Sequence, residues 1–348
     1  MPKTDVRAGH GMIKHKYLFL SFLLLWPAGA SSGQEAGTLW PEIKPNQTGY
    51  LKVSPLHEIY YQTGGNSKGK PVMYLHGGPG GECSPHDFRY FNPQKFNVVL
   101  HDQRGAGRSK PYGEIRENTT RNLVEDIETL RKHLRLERVI LFGGSWGTTL
   151  ALAYAETYPR NVDGIVLRGV FTATRSEIDH YYHGGAAKFF PEVHRELAAS
   201  LDHPDKNDYP AQLLAKLIST DPAVRDRYAR IWLRYEGGIA FLDKADDKIE
   251  AFLREYNPYA FALMENYYMA NGCFLEEGRL LKNADRLADI PVVIINGRYD
   301  MICPPAAAYQ LHRLLAKSTL IIVPSAGHTA GEPGIQAELV KAMRRFED

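Results

Sequence analysis

The chain has 348 residues, 44% of them hydrophobic and 24% charged, so it has apolar matter for a sizeable core and charge for a solvated surface, which excludes wholesale disorder and a peptide-sized scaffold. Its 42 Lys and Arg stand against 40 Asp and Glu, a net charge of +2. With no long block of one sign, nucleic acid is not an expected partner.

Residues 1–30 read as a secretory signal. Lys3, Arg7, Lys14 and Lys16 against the single acid Asp5 precede an apolar run, Tyr17 to Trp26, and the small-residue stretch Pro27-Ala28-Gly29-Ala30. The run is about half the ~20 residues that a membrane span requires, so export with cleavage near Ala30 is expected, to the periplasm or beyond the cell, and a stable membrane anchor is not. Met12 to Ala30 forms a tighter signal of its own, so either Met1 or Met12 suits the start. Polar residues follow, and 31–48 reads as an N-terminal linker.

From residue 49 onward, short β-rich runs alternate with helical patterns. Val72–Leu75, Val98–Leu100, Val139–Phe142 and Ile165–Leu167 are predicted strands. Between the second and third, Leu123, Ile127, Leu130 and Leu134 recur at helical spacing, the crossover that parallel strands need. The pattern resumes with strands at Val292–Ile295 and Leu320–Val323, separated by a helix over Ala306–Ala316 and followed by one over Gln336–Phe346. The predicted fold class is therefore α/β, a mostly parallel sheet covered on both faces, with 49–170 and 286–348 as the two parts of one core. Between them, over 171–285, the strand signal disappears. That stretch holds 17 of the 38 aromatic residues, enough for a small helical core of its own, and reads as an inserted helical cap over the strand ends where ligands of open α/β folds bind.

Gly143-Gly144-Ser145-Trp146-Gly147 lies directly between a predicted strand and a helix-like stretch. In that context G-x-S-x-G describes a sharp turn that lifts a serine hydroxyl over the sheet edge, with small neighbours to permit the strained backbone. A serine needs a base to take its proton and an acid to orient that base, in the chain order Ser, acid, His. Asp300 lies just past the penultimate strand and His328 just past the last one, and together with Ser145 they form the expected catalytic triad. The negative oxygen of the tetrahedral intermediate needs fixed N–H donors. Trp146 can supply one. The loop His76-Gly77-Gly78-Pro79-Gly80 should supply the other; Pro79 lacks an N–H, which selects Gly78, with Gly77 in reserve. The loop Asp102 to Ser109 reads as bracing, through Asp102 and Arg104. Cys83, Cys273 and Cys303 are too few and too scattered for a disulfide framework or a metal site, and no metal-ligand spacing occurs elsewhere, so neither a metal nor a cofactor is expected.

These residues, together with Glu117-Asn118-Thr119-Thr120, Asp126 to Arg131, Thr148 to Leu152, and Gly297 to Asp300 with Cys303-Pro304, resemble the proline iminopeptidase (prolyl aminopeptidase) family of α/β-hydrolases along nearly everything from Gly49 onward. The resemblance implies a serine exopeptidase acting through an acyl-enzyme on peptides with a free N-terminal proline. Trp232 to Gly237 and Leu263 to Tyr268 are similar to two cap segments of the family, which implies that Glu236 and Glu265 meet the substrate's ammonium group and that Phe171, Tyr181 and Cys303 line the pocket for the proline ring. Departures at Glu82, His180, Tyr235 and Tyr267 bear on the breadth of substrates. A carboxylesterase or lipase on the same core is the alternative, and a non-catalytic binding module a third reading. Nothing in the sequence specifies an oligomeric state.

Overall fold

The computed structural model describes residues 37–242, 246–255 and 258–348; the signal expected over 1–30 lies outside them. Eight strands form one sheet in the order β1-β2-β4-β3-β5-β6-β7-β8: β1 (Gln47–Lys52), β2 (Glu58–Gly65), β3 (Lys70–Leu75), β4 (Phe96–His101), β5 (Val139–Gly144), β6 (Val162–Arg168), β7 (Val292–Gly297) and β8 (Ser318–Val323). All pairings from β4 to β8 are parallel, whereas β1–β2 and β2–β4 are antiparallel.

The first two strands carry no sequence signal of the kind that marks the others. β1 is an edge strand of mostly exposed residues, and β2 ends in Gln62-Thr63-Gly64-Gly65. Partly solvated antiparallel strands lack the continuous apolar run of a doubly covered parallel one. The linker reading of 31–48 is corrected over its described part, 37–48. β1 already begins at Gln47, Leu39 is buried against the sheet, and Trp40 exchanges hydrogen bonds with Arg89.

The parallel strands divide their side chains between two cores. Met73, Leu75, Val99, Leu141, Ile165 and Ile294 enter one; Val72, Val98, Ile140, Phe142, Val166 and Val293 enter the other. This is the period of two that a strand imposes. Helices α1 (Thr120–His133) and α2 (Trp146–Thr157) pack on the first face.

Between β6 and β7 the described residues contain helices and turns only. These are α3 (Arg175–Asp179), a π-helical turn (His180–Gly184), α4 (Ala186–Phe189), α5 (Pro191–Ala199), α6 (Tyr209–Leu217), α7 (Pro222–Ala240), α8 (Asp246–Glu255), α9 (Pro258–Ala270) and α10 (Arg279–Lys282). Their core is aromatic: Trp232 stacks on Tyr182 at 4.8 Å and meets Tyr181 edge-on at 5.4 Å. Helix α11 (Pro305–Leu314) then joins β7 to β8 on the first face, and α12 (Pro333–Arg344) covers the second. No helix of the described residues is long and apolar enough to cross a membrane.

Candidate active site

Ser145 stands between β5 and α2 with φ +55° and ψ −125°, a left-handed backbone that costs a non-glycine residue about 1–3 kcal/mol and persists only where its surroundings enforce it. Two neighbours show what enforces it. A side chain on Gly143 would collide with the Gly147 carbonyl, and one on Gly147 with the Leu75 carbonyl. Strand and helix approach so closely that only glycine fits. The Ser145 N–H donates to the Arg168 carbonyl at 2.8 Å, tying the turn to the end of β6.

Asp300 and His328 come together past the ends of β7 and β8. The imidazole Nδ1 lies 2.8 Å from Asp300 Oδ2. Asp300 Oδ1 also accepts the N–H groups of Ile302 (3.0 Å) and Cys303 (2.7 Å), so the carboxylate is held from its own loop. This arrangement puts the proton on Nδ1 and leaves Nε2 as an acceptor. Nε2 faces Arg168 Nη1 at 3.2 Å, and the same nitrogen donates to the His328 carbonyl at 2.9 Å. Burial pushes the ionisation of the Cys303 thiol well above its ordinary value, with the Ser145 hydroxyl and the Arg168 charge opposing the shift. Among the described residues no hydrogen bond joins Ser145 to His328; such bonds in empty sites often tighten only around substrate.

Trp146 opens α2, where its N–H has no partner within the helix. Its indole donates to Gln103 Oε1 at 2.9 Å; Gln103 in turn gives its backbone N–H to His76 Nε2 and its amide to the His76 carbonyl, both at 3.0 Å. Gln103 thus ties the elbow to the His76–Gly80 loop. Sequence reading of the Asp102–Ser109 loop singled out Asp102 and Arg104 and passed over the residue between them. Asp102 holds Arg108 and the Cys83 N–H, while Arg104 pairs bidentately with Asp126 at 2.6 and 2.7 Å, farther along the brace. In the glycine loop, a Cβ on Gly77 would lie 3.8 Å from Ser145 Oγ, whereas Gly78 takes φ +105°. Gly77 and Gly78 both belong to the loop segment that faces the elbow.

Glu236 on α7 and Glu265 on α9 are both buried inside the helical insertion, close enough for the ionisation of each to depend on the other. Burial raises Glu236 to about 7, against an opposing effect of Glu265. Burial, reinforced by the neighbouring Glu236 charge, raises Glu265 well above the carboxylate range. The Trp232 indole donates to Glu265 Oε2 at 2.7 Å and the Tyr181 hydroxyl lies 3.5 Å from Oε1, while Glu236 Oε2 is buried with no hydrogen-bond partner. The π-helical turn sets Tyr181 and Tyr182 side by side, with Tyr182 donating to Asn266 at 3.0 Å. Phe171, Tyr181 and Cys303 are buried in one apolar cluster. Trp232 and Arg168 escaped sequence reasoning as site residues, because an indole donor and an arginine after a strand carry no motif by themselves. All three cysteines are buried and unpaired, and no three metal-ligating side chains converge among the described residues.

A parallel sheet with a serine elbow after β5 and a histidine loop after β8 is the build of an α/β-hydrolase, and the family model described as alpha/beta hydrolase fold matches residues 70–334. The bromoperoxidase from Bacillus anthracis superposes with a TM-score of 0.59 at 19% identity, covering 86% of this chain and 99% of that one, which shows the fold. Sequence relatives are more specific. A probable proline iminopeptidase of Leptolyngbya boryana is 44% identical over 309 residues (88% of this chain, 96% of that protein), and a proline iminopeptidase of Xanthomonas citri 43% over 310 (89% and 99%). The chain belongs to the proline iminopeptidase family.

Proposed function

We infer that this protein is a prolyl aminopeptidase, a serine exopeptidase that releases N-terminal proline from peptides. The observation that carries this reading over an esterase is the pair Glu236–Glu265. Two buried carboxyls, one with an oxygen lacking any partner, are a strong cost to a site for neutral acyl groups and a fitted receptor for a cationic chain end that brings several N–H donors. Phe171, Tyr181 and Cys303 supply an apolar wall for the pyrrolidine ring beside it.

In the mechanism, Ser145 Oγ attacks the carbonyl carbon of the terminal residue while His328 Nε2 takes its proton, and Asp300 stabilises the imidazolium through Nδ1–H. Negative charge on the former carbonyl oxygen is received by the N–H of Trp146 and that of Gly78 or Gly77, each donor worth about 3–4 kcal/mol of barrier. His328 gives its proton to the departing amine and the shortened peptide leaves. Water, activated by the same imidazole, hydrolyses the acyl-enzyme to release proline and restore Ser145. The amine-binding carboxyls lie in the helical insertion, which we assign as a cap over 171–285 governing selectivity. The order basic, apolar, small over residues 1–30 supports export after cleavage near Ala30.

The deciding experiment compares proline anilide, its N-acetyl derivative and a short acyl ester. The free amine should be turned over best. A preference for the blocked anilide or the ester would establish an esterase instead.

A further inference from the structure

Glu332 occupies the N-cap position of α12, yet its carboxylate does not cap that helix. It accepts the Gly327 N–H at 2.6 Å through one oxygen and the Leu242 N–H at 3.2 Å through the other. Gly327 precedes His328 in the histidine loop; Leu242 follows the C-terminal end of α7. A third bond closes the same seam, from the His328 N–H to the Ala240 carbonyl at 3.0 Å. That carbonyl is among the last-turn acceptors a helix leaves unsatisfied, usually met by a glycine cap. Here the backbone of the histidine itself meets it. The seam is tight: an ideal Cβ on Gly327 would stand 2.9 Å from the Leu242 nitrogen, 3.0 Å from Glu332 Oε1 and 3.1 Å from the Ala240 oxygen.

Helix α7 carries Glu236 one turn before Ala240, about 6 Å along the axis at 1.5 Å per residue. A rigid element thus runs from the amine-binding carboxyl to the carbonyl that holds the base. We propose that Glu332 is a positioning residue that locks the histidine loop to α7, so that engagement of the substrate's ammonium by Glu236 is transmitted to the placement of His328. This deepens the prolyl aminopeptidase reading and rests on it. One carboxylate reinforces the direct bond from His328 to Ala240, because the Gly327 and Leu242 N–H groups that it holds belong to the two separate segments.

The test is a cycle of Glu332→Gln, Glu236→Gln and the double variant, assayed on proline anilide and on a short acyl ester, with far-UV circular dichroism and thermal unfolding to set the folded fraction. Glutamine keeps the volume and retains one acceptor, but turns an NH2 toward the second N–H. In Glu332→Gln, kcat on proline anilide should fall roughly tenfold or more, the range of ordinary intersite coupling, and fall clearly more than kcat on the ester. Glu236→Gln should then cost much less in the Glu332→Gln background than in the native protein. Equal proportional losses on the two substrates, or strictly additive effects, would overturn the coupling. A native enzyme with no preference for the free amine would instead overturn the aminopeptidase reading beneath it.

Discussion

Arg168 binds both sides of the reaction centre: its backbone carbonyl accepts the Ser145 N–H at 2.8 Å, and its guanidinium reaches His328 Nε2 at 3.2 Å. Nε2 is the atom that must receive the serine's proton, so the arginine has to yield it when substrate arrives, while its bond to the His328 carbonyl keeps the loop in place. Arg168→Met should lower kcat by one to two powers of ten on anilide and ester alike through misplacement of the base, an effect of the size that small displacements produce. Steady-state kinetics on both substrates tests this. A change confined to KM would mean that the guanidinium contacts substrate rather than the base.

Ser145→Ala should remove turnover and labelling by a fluorophosphonate together. Asp300→Asn should retain the fold and lose roughly 10⁴ in kcat, because the amide no longer holds Nδ1–H and the tautomer reverses. An Asp300→Asn enzyme within tenfold of native activity would move the acid of the triad elsewhere.

Glu236→Gln and Glu265→Gln should each depress kcat/KM on free-amine substrates about 100-fold, the size of loss expected when one partner of a buried charged contact is removed, with ester hydrolysis largely spared. Equal losses on both substrate types would assign the pair a structural role.

The same carboxyls set a pH dependence. Glu236, raised to about 7 by burial, is neutral below that pH and charged above it, and only the charged form attracts an ammonium. For proline anilide, kcat/KM should therefore rise with pH through about 7, in a limb belonging to the coupled pair rather than to either residue. The ester profile should lack this additional ionisation and show only that of the general base common to both substrates, and Glu236→Gln should bring the anilide profile to the ester's shape. An additional ionisation that persists in the variant would belong to another group.

Gly169 takes φ +60°, and a Cβ there would lie 3.1 Å from His328 Cε1 and 3.2 Å from Asp300 Oδ2. Gly169→Ala should cost about 1–2 kcal/mol of stability for the left-handed backbone and displace the His–Asp pair, reducing kcat more than the loss of folded protein explains. Thermal unfolding alongside kinetics separates the two effects.

The parallel strands were legible because burial on both faces writes them as uninterrupted apolar runs, and the serine turn because its glycines are demanded by collisions that no other residue avoids. β1 and β2 were not, since a partly solvated hairpin reads like loop sequence. Gln103 was hidden between two charged neighbours that drew the eye, although it is Gln103 that holds the Trp146 indole.

What residue order alone determined was the scaffold: strand periodicity, the elbow and the succession Ser, acid, His are local or ordinal features, and the likeness to proline iminopeptidases rests on motifs that can be read along a line. Which groups touch was decided in three dimensions. The pairing of Glu236 with Glu265, the guanidinium of Arg168 at His328 and the carboxylate of Glu332 against Leu242 join residues 29, 160 and 90 positions apart. Burial and hydrogen-bond geometry at such sites arise from packing, which no spacing of letters encodes.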